Sequence, residues 1–178
     1  MKAYTSNNIR NIAVLGHGGK GKTTLCEAML YIAGASDRLG RVADGNTVLD
    51  FDSEEKRRKS SVSSAIAALE WDNTKLNIID APGLFDFEGG AAEAVRAAEA
   101  VLIVTSAGSG VDVGTEKAFR AAEKKGAAKF FAVTKTDSDH RNFYKTFDAL
   151  KEVYGNKLCP TIIPYMEGNI TKCYVNLM

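Results

Sequence analysis

Residues Gly16-His17-Gly18-Gly19-Lys20-Gly21-Lys22-Thr23 spell the spacing GxxxxGK(S/T). Glycines at those positions let the main chain curl so that successive N–H groups point into one hollow, and a helix starting there adds its positive end. Such a hollow takes phosphate. Lys22 is then the expected catalytic charge, reaching the β- and γ-phosphates, and the Thr23 hydroxyl a ligand of Mg²⁺. The expected phosphate contacts are Gly16, His17, Gly18, Gly19, Lys20, Gly21, Lys22, Thr23 and Thr24. A glycine-rich turn that binds nothing is the alternative. Against it stand the apolar run 12–15 before the loop and the helix-forming run 24–33 after it.

Two later clusters carry compatible chemistry. Asp80-Ala81-Pro82-Gly83 ends a strand, at the sheet edge where open α/β folds bind ligands. Asp80 is expected to hold Mg²⁺ through water, and the Gly83 N–H to sense the γ-phosphate. The same four residues would also serve as a plain turn. Thr134-Lys135-Thr136-Asp137 follows another strand. The Asp137 carboxylate can accept two hydrogen bonds from the N–H edge of guanine, whereas adenine would leave it unpaired. Thr134, Lys135 and Asp137 are therefore the expected guanine contacts, the Lys135 stem lying along the base plane. A solvated turn is the alternative here.

These clusters need a scaffold. Apolar periodicity predicts a strand over 9–16 and a helix over 22–33. Residues 34–60 carry three glycines and the charge run 52–59 with little pattern, and read as a long mobile loop, functional because it lies beside a phosphate site. Strands are expected at 62–71 and 75–80, flanking a turn at 72–74. Helices then follow at 88–98, 114–125 and 139–154, the last capped by Asp139, with strands at 100–105 and 129–134 and two short ones at 161–164 and 174–177. Alternating helix and strand is the mark of a parallel sheet covered on both faces. The expected fold is an α/β P-loop NTPase, three layers with a mostly parallel sheet.

At 178 residues one domain nearly fills the chain, and 23 basic against 22 acidic residues leave a net charge of +1. No global field draws it to nucleic acid or membrane. The apolar stretch 97–107 is interrupted by Glu99 and is too short to span a bilayer. With no signal pattern at the start, a cytoplasmic location is expected. Cys26, Cys159 and Cys173 have no metal-ligand spacing and read as reduced, Cys26 as a packed helix residue.

In this order the three clusters resemble the GTP-binding domain of translational GTPases, most closely elongation factor G and its paralogues. Supporting segments are Asp44-Gly45-Asn46-Thr47-Val48-Leu49-Asp50-Phe51-Asp52, Glu70-Trp71, Asp86-Phe87 and Ser109-Gly110-Val111-Asp112-Val113-Gly114-Thr115-Glu116. The resemblance implies that 34–64 is a first switch, with Ser61 at the position of a threonine that ligates Mg²⁺, and that 80–95 is a second. It implies GTP as substrate, GDP as product and the ribosome as partner. Nothing in the sequence suggests an obligate dimer, and a monomer is expected; the charge run 52–59 is either a contact for ribosomal RNA or a solvated loop. It also implies a GTP-binding domain over 1–157 and the opening of an insert over 158–178. The domain's closing Ser-Ala motif is absent, so a longer protein is expected.

Three positions depart from the family pattern. Leu84 stands where a histidine positions the attacking water, Thr134 where asparagine is usual, and Gly19 where aspartate is common. A leucine cannot orient water, and no catalytic base is assigned. His17 is nearest in sequence, with a loop-packing role expected. A GTP-dependent ribosome-binding latch with little hydrolysis is the second reading, and an ATP-using kinase, opposed by Asp137, the third.

Overall fold

A computed structural model describes residues 2–137, 142–167 and 170–178. The strands are β1 (Ile9–Leu15), β2 (Ala65–Trp71), β3 (Thr74–Asp80), β4 (Ala100–Ser106) and β5 (Ala128–Thr134), and they form one sheet in the order β2-β3-β1-β4-β5. All pairings are parallel except β2 with β3. Val14 pairs with Asp80, Leu15 with Ile103, and Ser106 with Thr134. These registers bring the carboxyl ends of four strands level, so the phosphate loop, Asp80 and Thr134 leave the sheet along one edge.

Side chains alternate across β1, as strand geometry requires. Ala13 and Leu15 enter a core layer with Ile79, Ala94, Val101 and Ala118, while Val14 enters the opposite layer with Cys26, Leu30, Ile78 and Val104. Helix α1 (Lys22–Ile32) covers the second face, and α3 (Glu88–Ala97) and α4 (Val113–Lys125) pack on the first. Cys26 is fully buried in that packing.

Residues 34–60 are more ordered than their composition predicts. They contain a helical turn at Val42–Asp44 and the short helix α2 (Ser53–Arg58). Asp52 and Glu55 form a capping box at its start. Glu54 pairs with Arg57 and Arg58, so the charge run is a capped, internally paired helix. The strand expected from residue 62 begins at Ala65, because the Val62 and Ser63 N–H groups donate to the Glu55 carboxyl instead of joining the ladder. Asp72 and Asn73 both hold positive φ, giving the two-residue hairpin turn that suits sheet twist.

Helix α5 (Phe143–Tyr154) starts later than expected: Asn142 is its cap and accepts from the Tyr144 and Lys145 N–H groups. The expected cap, Asp139, lies outside the described residues. Strands β6 (Ile162–Glu167) and β7 (Ile170–Asn176) pair antiparallel as a separate two-stranded sheet, longer than the two short strands foreseen.

Candidate functional site

The phosphate loop runs from β1 into α1 through close contacts. Gly16 has φ 139°, and a Cβ there would collide with the Val104 carbonyl. Gly83 arrives from the end of β3 so tightly that a Cβ would collide with the Lys22 ammonium and come within 2.8 Å of both the Gly16 oxygen and the Gly18 nitrogen. Only glycine fits either place. Lys22 is buried, and its Nζ donates to the His17 carbonyl at 3.1 Å. Burial lowers its pKa, with Asp80 opposing that shift.

Next to the lysine the expected metal residues form one hydrogen-bonded cluster. The Thr23 hydroxyl donates to Asp80 Oδ2 at 2.6 Å and lies 3.1 Å from the Ser61 hydroxyl. Ser61 in turn donates to Asp50 Oδ1 at 2.7 Å. Asp80 Oδ1 and Asp50 Oδ2 are buried and have no partner among the described residues. Burial pushes Asp80 up to about 7 and also raises Asp50. Two carboxyl groups with unused oxygens beside two hydroxyls are a hard-oxygen donor set, and they fit Mg²⁺. Asp50 was not among the expected ligands, because its segment shows no periodicity and its approach to Ser61 exists only in the fold.

The base-reading loop is tied to the phosphate loop. Thr134 Oγ1 lies 2.7 Å from the Lys20 carbonyl and 3.1 Å from that of Thr105, so the hydroxyl reaches the phosphate-loop main chain. Lys135, with φ 55°, donates to the Gly19 carbonyl at 2.6 Å. Asp137 is exposed on the same loop. The Lys20 ammonium pairs with Asp112 at 3.2 Å, the cap residue of α4.

A cleft of about 220 Å³ is lined by Gly18, Gly19, Thr24, Asp50, Ser61 and Lys135 among others, placing the phosphate loop beside residues of the 34–64 segment and Lys135. Leu84 is 39% exposed and lies over Gly18, where a Cβ would sit 3.0 Å from its Cδ2. His17 packs its ring on Phe85 at 5.5 Å, with Gly114 pressed against its main chain. The packing role expected of it matches that position.

Residues 7–172 match the family described as the elongation factor Tu GTP binding domain. This chain belongs to that family. Among its relatives, an elongation factor G-like protein of Mycobacterium tuberculosis H37Rv is 37% identical over 91% of this chain and 23% of its own length. A mitochondrial ribosome-releasing factor 2 of Debaryomyces hansenii is 34% identical over 94% of this chain and 19% of its own. A solved structure from Thermus thermophilus superposes with a TM-score of 0.89 at 38% identity, over 94% of this chain and 25% of that one. The chain thus spans about a quarter of the length of the relatives it matches or less. As a GTP-binding domain of this family it has the P-loop α/β fold, with β2 as the one antiparallel strand of its sheet. No helix among the described residues is long and apolar enough to cross a membrane.

Proposed function

We propose that this domain binds Mg·GTP and Mg·GDP and hydrolyses GTP within an elongation factor G-like translation factor acting on the ribosome. The observation that carries the reading is the Thr23, Ser61, Asp80 and Asp50 cluster, whose unpartnered carboxyl oxygens abut the phosphate loop. Mg²⁺ held there by Thr23, Ser61 and Asp80 would neutralise phosphate charge.

The chain's own groups do the rest. Loop N–H groups and Lys22 hold the β- and γ-phosphates and stabilise charge on the transferred group. The Gly83 N–H, fixed against the loop by its packing on Gly16 and Gly18, reports the γ-phosphate. Water attacks the γ-phosphorus in line, the bond to the β,γ-bridging oxygen breaks, and GDP leaves with inorganic phosphate. Leu84 has no atom that can orient that water, so the isolated domain turns over slowly and the ribosome supplies the alignment. Asp137 reads the guanine N–H edge, and Thr134 and Lys135 hold its loop to the phosphate loop.

The separate β6–β7 sheet supports a boundary near residue 158, with 1–157 as the GTP-binding domain and 158–178 as the start of an insert. A cytoplasmic monomer is the matching assignment. Single-turnover hydrolysis of GTP with and without ribosomes, in a chain extended to the length of its relatives, tests the reading. Ribosomal activation by orders of magnitude is expected, and a rate that ribosomes do not change would overturn it.

A further inference from the structure

Glu27 lies in α1, in the apolar layer that also holds Cys26, Leu30 and Leu49, and it is fully buried. A carboxyl in such a layer is costly unless its hydrogen bonds replace those it had with water. One oxygen accepts the Val48 and Leu49 N–H groups at 2.7 and 3.0 Å. The other has no partner among the described residues. It faces Gly40, where a Cβ would collide with it and come within 2.8 Å of the Thr47 Cα. For packing alone an apolar side chain would serve α1 better.

The two N–H groups that Glu27 holds belong to the residues immediately before Asp50. Thr47 adds a further constraint, its hydroxyl donating to the Asp50 carbonyl at 3.3 Å. Asp50 then accepts from Ser61, and Ser61 meets Thr23. A continuous path therefore runs from the middle of α1, through the main chain of 48–50, to the metal corner at the first turn of the same helix. Leu49, almost fully buried, anchors the segment against the same core layer.

We infer that Glu27 is a positioning residue of the nucleotide site, binding residues 40–50 to α1 so that Asp50 and Ser61 stand where the divalent cation is held, with Gly40 kept small to leave the carboxyl its place. The inference rests on the Mg·GTP reading above. It adds that the first switch is built around a side chain that is not itself an expected metal ligand, through which Mg²⁺ sensitivity can be lost without touching a ligand.

GDP affinity of the full chain, measured with Mg²⁺ and with EDTA, tests it. Glu27→Met keeps the volume and removes the acceptor; it should cut the Mg²⁺-dependent gain in affinity by about tenfold, the usual scale for supports of metal ligands, and leave affinity in EDTA unchanged. Glu27→Gln retains an acceptor oxygen and should stay close to wild type. Gly40→Ala displaces the carboxyl and also presses on the Thr47 main chain, so it should lower the Mg²⁺-dependent gain at least as much as the Met variant. Equal losses with and without Mg²⁺ would mean a merely structural role and would overturn the inference, as would a Met variant with wild-type Mg²⁺ dependence.

Amide exchange in the nucleotide-free protein carries the test separately from nucleotide binding. In Glu27→Met, protection should fall across 40–63 while the β1, β3 and β4 amides keep theirs. Loss confined to Val48 and Leu49 would contradict the inference. A wild-type chain whose GDP binding ignores Mg²⁺ would instead refute the functional reading, whatever the exchange pattern shows.

Discussion

The Thr23 hydroxyl donates to the Asp80 carboxyl at 2.6 Å, joining the first turn of α1 to the end of β3. Thr23 is the last residue of the phosphate loop motif, whereas Asp80 arrives by the parallel pairing of β3 with β1. Their contact closes the metal corner. Asp80→Ala should therefore abolish most of the Mg²⁺ dependence of GDP binding, read by titration with and without EDTA, while the fold is kept.

Asp80 also gives the metal-free domain a pH dependence. Burial raises its pKa to about 7 from the ordinary 3.8, so the folded state holds this proton more tightly than the unfolded chain. Its contribution to stability is then full below the unfolded value and is lost as the pH rises through about 7. Urea unfolding in EDTA should show lower stability at high pH than in mild acid. Asp80→Asn should flatten that slope, and Mg²⁺ should recover stability at high pH, where the carboxylate is free to bind it.

Gly16 has φ 139° and no space between its Cα and the Val104 main chain. Main-chain atoms of a central strand cannot move aside cheaply, so Gly16→Ala should cost about 1–3 kcal/mol in chemical unfolding. Gly83→Ala meets the Lys22 ammonium and also the main chain of Gly16 and Gly18, so it moves both the lysine and the phosphate loop. Displacing that ammonium should weaken GTP binding more than GDP binding, and a variant with unchanged preference would show that Gly83 does not report the γ-phosphate.

Thr134→Val removes the hydroxyl that bridges to Lys20 and keeps the shape. A net loss of roughly 0.5–1.5 kcal/mol in unfolding free energy is expected, with weaker guanine nucleotide binding. Thr134→Ser, which retains the hydroxyl, should lie closer to wild type. Equal behaviour of Val and Ser would show that the bridge is not what holds the two loops together.

The parts legible in the sequence are those whose physics is local. The phosphate loop is a run of glycines with a lysine and a threonine at fixed offsets, and Asp80 and Thr134 each end a strand that its own apolar residues announce. The alternation of helix and strand announces a mostly parallel sheet. Asp50, Glu27 and the Lys20–Asp112 pair were not legible as a site, since each depends on a partner brought near only by the sheet. The α2 helix is a different case: the Asp52 and Glu55 capping box is a local signal, masked by the density of charge around it. The later start of β2 came from competition, Glu55 claiming N–H groups that a strand would have used.

Together the Asp137 loop and the metal corner are proposed to make a guanine-selective, Mg²⁺-dependent site. Calorimetric titration of the chain with GDP, GTP and ATP, each with Mg²⁺ and with EDTA, tests it most directly. GDP and GTP should bind with Mg²⁺, both should weaken markedly in EDTA, and Mg·ATP should bind far more weakly. Binding of Mg·ATP as tight as Mg·GTP, or guanine nucleotide binding indifferent to Mg²⁺, would contradict it.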